Sequence, residues 1–169
     1  MGACTSKDKV GEPTKAAIAK KFNSSEELMD MKTFFPKGTD SALSRNMTEE
    51  IWNEYKDKSD ACGVTFKTCV FSGVANLDSG IGLYAGSHDS YTTFNKLFDK
   101  VIKEYHGHGV DDKHKSDMST DGLTNPELAD DEKDMIISTR IRVGRNLSDF
   151  PLGPGVTKDQ RLEIMNKVV

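Results

Sequence analysis

The run Met135-Ile-Ile-Ser-Thr-Arg-Ile-Arg-Val-Gly-Arg145 aims a hydroxyl and two guanidinium groups the same way. With the period of two of a β-strand, Ile137, Thr139, Ile141 and Val143 share one face, and Ile136, Ser138, Arg140 and Arg142 share the other. Planar guanidinium forks one strand repeat apart bind oxyanions bidentately, and no carboxylate on that face of the strand neutralises them. The chemistry is that of a polyphosphate site. The same pattern also fits an edge strand kept soluble by its arginines. A second candidate lies upstream, where four glycines fall in the fifteen positions Gly73 to Ser87. Such a loop lets the backbone approach a ligand closely.

The composition bounds the partners. The chain has 169 residues, room for one ordinary domain or for a small domain with part of another. Its 23 Lys and Arg against 27 Asp and Glu leave a net charge of -4, so no broad basic field exists for nucleic acid to follow. Cys4, Cys62 and Cys69 are odd in number and lack CxxC or His-paired spacing, which argues against a disulfide framework or a zinc site and suits a reducing cytosol. No apolar run approaches the length of a membrane span. The first residues, Met1-Gly-Ala-Cys-Thr-Ser6, match the N-myristoylation pattern M-G-x-x-x-[ST]. One acyl chain anchors only marginally, so Cys4 is a candidate for palmitoylation and Lys7, Lys9, Lys15, Lys20 and Lys21 for contact with anionic lipid. The expected location is cytoplasmic with membrane association through Gly2 and Cys4.

The elements that must position these sites follow from periodicity. Residues 1–40 read as a flexible tail outside the core, with one short helix over Thr14 to Phe22. Asn46 and Glu49 have capping-box spacing and predict a helix that carries Ile51, Trp52 and Tyr55 on one side and ends near Lys58. Val64 to Ser72, short and rich in β-branched and aromatic residues, fits helix or strand, and its neighbours lean it towards helix. Asp89 or Ser87 caps the strongest helix, in which Tyr91, Phe94, Leu97, Phe98, Val101, Ile102 and Tyr105 recur every three to four residues as core. His106, His108 and His114 follow it without a metal-ligand spacing, and no metal site is expected. Residues 115–134 read as an exposed linker, and a new unit begins at Met135. Its strand has no partner in the remaining sequence, and its helix, capped by Thr157 and Gln160, runs to Val169 without a terminating Gly or Asn. The expected fold class is therefore mainly α: a small all-α N-terminal domain over residues 41–114, then the first strand and helix of a second, incomplete unit over 135–169.

Two motifs in order, Asn76-Leu-Asp-Ser-Gly-Ile-Gly-Leu-Tyr-Ala85 and Ser138-Thr-Arg-Ile-Arg-Val-Gly-Arg145, resemble the phosphagen kinases, most closely the arginine kinases. Leu97-Phe-Asp and Tyr105-His-Gly add to a likeness that spans roughly Ser41 to Val169. The resemblance implies a small helical domain followed by an α/β catalytic domain built on an antiparallel sheet, here truncated. It also implies reversible phosphoryl transfer from MgATP to the guanidino group of L-arginine, with Mg2+ held by the nucleotide. Carried over residue by residue, Ser79, Gly80, Ile81, Gly82 and Tyr84 receive the carboxylate end of the guanidine, and Asp78 ties the loop to an arginine of the second domain on closure. Ser138, Arg140 and Arg142 begin the ATP and ADP phosphate site, whereas Arg145 is assigned to structure. The short run from Asp78 to Tyr91 goes in this family with arginine, the larger substrate, and taurocyamine is the alternative. The family's paired carboxylates and active-site cysteine match nothing here, so no catalytic residue is assigned within the chain, and Cys62 and Cys69 are expected to pack in the core. The implied protein is the N-terminal part of an arginine kinase, inactive alone. The competing expectation is a non-catalytic, membrane-anchored binding module. Held on a membrane, such a kinase would regenerate ATP beside a consumer such as a ciliary motor.

Overall fold

The computed structural model describes residues 22–122 and 127–169. The acylation motif and all but the last residue of the expected helix 14–22 lie outside the described residues. Seven helices follow in order: α1 (Ala42–Asn46), α2 (Glu49–Tyr55), α3 (Phe66–Ala75), α4 (Ser90–Thr93), α5 (Asn95–His106), α6 (Asp130–Asp134) and α7 (Lys158–Val168). Among the described residues the only β pairing is an isolated antiparallel bridge between Ser59 and Thr65. A small all-α domain is what the sequence leads one to expect.

Local chemistry sets the helix starts. Ser41 and Ser44 form a reciprocal box at α1, with backbone-to-hydroxyl distances of 2.9 and 3.0 Å. Thr48 caps α2 by accepting from the Ile51 N–H at 3.3 Å, and Thr65 caps α3 by accepting from Thr68 at 3.2 Å. The expected Asn46 cap is thus corrected: Asn46 is the last residue of α1, and its side-chain amide donates back to the Ala42 carbonyl at 2.9 Å. Met47 breaks the chain with an extended ψ of 121°, leaving Thr48 in the capping position. α2 closes at Tyr55, short of the expected Lys58. The Thr157 and Gln160 box at α7 is present as expected, at 3.3 and 2.9 Å.

The core is built on aromatic rings that meet edge-to-face or tilted. Phe34 meets Trp52 at 4.7 Å between centroids, Tyr55 lies 5.3 Å from Phe66, and Phe94 lies 5.2 Å from Phe66. Leu28 and Phe34 are fully buried, so the core reaches into the segment that the sequence suggests is tail. Polar composition over residues 1–40 conceals these two anchors. The single helix expected over residues 90–106 is split, because Phe94 (φ −111°, ψ 31°) turns inward between α4 and α5. Phe94, Leu97, Phe98 and Val101 are buried, while Tyr91 and Tyr105 at the ends of the repeat are 44% and 60% exposed. Cys69 is buried as expected, but Cys62 sits exposed in the turn before α3 and does not pack in the core. Residues 136–147 form no ladder among the described residues, and Ile137, Ile141 and Val143 are 97%, 89% and 82% exposed. The strand face that period two assigns to a core faces solvent, since no second strand is there to pair it.

Asp60 is the buried charge of this domain. It is 6% exposed and accepts from the hydroxyls of Ser87 and Ser90, both at 2.6 Å, and from the N–H groups of Cys62 at 3.0 Å and Val64 at 2.9 Å. Burial alone would raise its pKa, but the two serine hydroxyls and the two backbone donors outweigh burial and hold the carboxyl below its ordinary value. A carboxyl lowered on folding stabilises the protein fully above about pH 4, and that contribution is lost as pH falls through the folded value. Asp60→Ala is expected to cost about 3 kcal/mol by orphaning four donors. Asp60→Asn should show a smaller loss of stability than the parent when urea melts at pH 7 and pH 3 are compared. Equal losses in the two proteins would show that another group carries the acid sensitivity.

Candidate functional site

The glycine-rich loop runs from the end of α3 to the start of α4, and its carbonyls are spent on holding it in place. The Ala42 and Leu43 N–H groups at the start of α1 donate to the carbonyls of Gly80 and Ile81, both at 2.9 Å. The Tyr84 N–H donates to the Cys69 carbonyl of α3 at 3.0 Å. Between these ties, Gly82 (φ +77°) lies directly on Gly73: a Cβ on Gly73 would sit 2.3 Å from the Gly82 carbonyl oxygen, and one on Gly82 would sit 3.0 Å from the Gly73 Cα. Two glycines are needed because backbone packs on backbone here. The sequence pattern placed Gly73 at the start of the loop, whereas it is a helical residue of α3 on which the loop rests.

What the loop keeps free is its donors. Among the described residues, the N–H groups of Gly80, Ile81, Gly82 and Leu83 make no hydrogen bond. Successive free amides with glycine between them suit an anion such as a carboxylate. The Ser79 hydroxyl lies 3.5 Å from the Tyr84 hydroxyl, and Tyr84 is 42% exposed, so two further polar groups stand at the same loop. Beside it opens a groove of about 300 Å³ lined by Ile81, Leu83, Tyr84, Tyr91, Phe98 and Tyr105 among others. Asp78 is exposed and has no partner among the described residues. The structure thus brings Ser79, Gly80, Ile81, Gly82 and Tyr84 together in one loop.

Ser138, Arg140 and Arg142 stand apart from that loop. All three are exposed, and no hydrogen bond or ion pair engages their side chains among the described residues. Arg145 only donates to the neighbouring Gly144 carbonyl at 2.7 Å. His106, His108 and His114 border one cleft with Asp99 and Asp112, yet no three potential ligands converge on a metal position among the described residues. Burial pushes the Cys69 thiol up, which fits packing and not nucleophilic chemistry. Sequence reasoning missed Asp60 and Gly73 as supports of the site. The signal for Asp60 was faint: an acid followed closely by Gly63, in a turn between two helices.

Residues 37–103 match the family model described as ATP:guanido phosphotransferase, N-terminal domain. The chain belongs to the phosphagen kinase family, of which it carries the N-terminal portion. Among its relatives it is 42% identical over 159 residues to the arginine kinase of Anthopleura japonica, covering 94% of this chain and 21% of that protein. It is 40% identical over 129 residues to the arginine kinase of Limulus polyphemus, covering 76% of this chain and 36% of that one. Among solved structures, the duplicated taurocyamine kinase from Schistosoma mansoni with bound transition state analog components matches with a TM-score of 0.63 and 27% identity, over 81% of this chain and 19% of that one.

The Gly73 contact can be tested directly. Gly73→Ala gains helix propensity of up to about 1 kcal/mol, yet it is expected to be destabilising overall by about 1–3 kcal/mol from overpacking against the Gly82 backbone. Gly80→Ala, where nothing lies within 4 Å of the added Cβ, should melt within about 0.5 kcal/mol of the parent. Identical melts for all three would refute the close contact.

Proposed function

We propose that this chain is the guanidino-substrate domain and the start of the nucleotide site of an arginine kinase, which passes phosphate reversibly from MgATP to L-arginine to give phosphoarginine and ADP and so buffers ATP. The observation that carries the reading is the loop of free amides from Gly80 to Leu83, flanked by the hydroxyls of Ser79 and Tyr84. The loop takes the carboxylate end of the guanidine. Its arginine kinase relatives at about 40% identity favour L-arginine as the substrate. Likeness to a taurocyamine kinase supports a second reading, because free amides accept a sulfonate as readily as a carboxylate. Turnover of taurocyamine in preference to L-arginine would select it.

Phosphoryl transfer asks a protein for in-line alignment and cancellation of charge on the moving oxygens more than for covalent chemistry. Arg140 and Arg142 cancel part of that charge, Ser138 donates to a phosphate oxygen, and Mg2+ arrives with the nucleotide. Asp78, exposed and unpaired, is free to meet a cation of the following unit when the enzyme closes on its substrates. Catalysis belongs to the full-length protein, and the 169 residues alone turn over no guanidine. In that protein Arg140→Ala or Arg142→Ala is expected to lower kcat by about 10²- to 10³-fold through lost electrostatic stabilisation, measured by coupled ATP turnover. A kcat near that of the parent removes the arginine from the site.

The N-terminal arm adds a membrane partner to the proposal. Gly2 takes a myristoyl chain after removal of Met1, Cys4 takes a palmitoyl chain, and five lysines between Lys7 and Lys21 face anionic lipid. The enzyme is then cytoplasmic and held at a membrane, beside an ATP consumer such as a ciliary motor. Gly2→Ala should move the protein from the membrane fraction to the soluble one, and unchanged partition would count against acylation.

A further inference from the structure

Residues 150–156 return to the helical domain and lock onto the far limb of the glycine-rich loop. The Leu152 N–H donates to the Gly86 carbonyl at 2.8 Å, and the Leu152 side chain packs against the domain core. Behind it, Gly155 leaves no room for a side chain: a Cβ there would lie 2.2 Å from the Gly86 carbonyl oxygen and 2.7 Å from Val64 Cγ2. Gly86 is equally tight, since its own Cβ would meet Val64 Cγ1 at 2.3 Å. Three segments therefore meet at one point: the turn before α3, the exit of the loop, and the stretch that leads into α7. The turn of residues 152–156 is itself closed by the Gly155 and Val156 N–H groups, both donating to the Leu152 carbonyl, at 2.8 and 3.1 Å.

Gly86 lies two residues beyond Tyr84 and four beyond Gly82. We propose that Leu152 and Gly155 are positioning residues for the glycine-rich loop: by clamping Gly86 against Val64 they fix the exit limb and hold the Gly80 to Leu83 amides in register for the anionic end of the substrate. The loop's entry limb is fixed separately by α1 and by Gly73, whereas between the Tyr84 tie to Cys69 and the Ser87 bond to Asp60 the exit limb is held at Gly86 by the clamp. The guanidine half of this inference rests on the substrate reading given above, whereas the mechanical half does not. Gly153 supplies an internal control, because a Cβ at that position meets nothing within 4 Å.

The test uses Gly155→Ala, Leu152→Ala and Gly153→Ala. Gly155→Ala forces the two backbones apart, and Leu152→Ala loosens the same contact without adding bulk, so it serves if Gly155→Ala does not fold. Amide hydrogen exchange at Tyr84 and Ser87, the hydrogen-bonded amides of the exit limb, is expected to speed up at least tenfold in both clamp variants of the 169-residue chain and to stay unchanged in Gly153→Ala. In the full-length enzyme the clamp variants should raise KM for L-arginine about tenfold with kcat within twofold, because the loop grips the end of the substrate remote from the transferred phosphoryl group. Loop exchange that stays at the parent rate in a folded clamp variant, or that rises equally in Gly153→Ala, overturns the proposal. A tenfold rise in exchange together with no turnover of L-arginine by the parent enzyme keeps the clamp and rejects the substrate reading.

Discussion

A single buried carboxylate holds the working part of this domain together. Asp60 ties the turn before α3 to Ser87 and Ser90, where the glycine-rich loop exits into α4. Asp89 doubles the link by accepting from the Ala61 N–H at 2.8 Å and the Thr93 hydroxyl at 2.9 Å. Removing a charge from water is expensive, and it is tolerated here because every donor around Asp60 is fixed by a helix start or a tight turn. The start of α4 is thereby set against the start of α3, and the loop's exit is a fixed point. Its conformation is as much a consequence of Asp60 as of its own glycines.

Within that frame the loop divides its backbone by polarity. Carbonyls of Gly80 and Ile81 face α1 and are consumed by its first N–H groups, and the intervening N–H groups are left without internal partners. Residues 76–89 contain neither Lys nor Arg. An anion docking here would meet backbone dipoles without the help of a loop cation, which favours recognition by shape and donor geometry over attraction at long range. The acidic balance of the chain points the same way, since its field offers no long-range attraction to a carboxylate and that end of a ligand depends on short-range donors.

Periodicity and caps made most of the helical domain legible from sequence. The apolar repeat from Phe94 to Val101, the helix after Thr65 and the Thr157 box are all local signals, and each appears where the residues put it. The failures share a cause, which is that tertiary partners decided them. Phe94 interrupts its own helix because Tyr55 and Phe66 make a better home for its ring than a continuous helix face does. Leu28 and Phe34 look isolated in a polar stretch, yet both are fully buried, Phe34 against the ring of Trp52, a partner far away in sequence. Gly73 and Gly86 read as loop punctuation, and Gly155 carries no signal of its own. Their meaning lies in what each faces across the fold, and the sequence carries no local trace of that.

The segment from Ile136 to Leu147 obeys a different logic. It leaves the linker with alternating apolar and cationic residues, finds no strand to pair with among the described residues, and is followed at once by the tightly docked stretch 150–156. An extended segment with Ile137, Ile141 and Val143 almost fully exposed is stable in water only as part of a sheet that buries that face. Pairing would fix the spacing of Arg140 and Arg142, because the same alternation that turns the isoleucines inward turns both guanidinium groups outward on one side. The two ends of the proposed reaction are thus handled by opposite means. Neutral amides in a preformed loop would hold the carboxylate of the guanidine, and exposed cationic side chains would become a phosphate site only when a sheet pairs the segment that carries them.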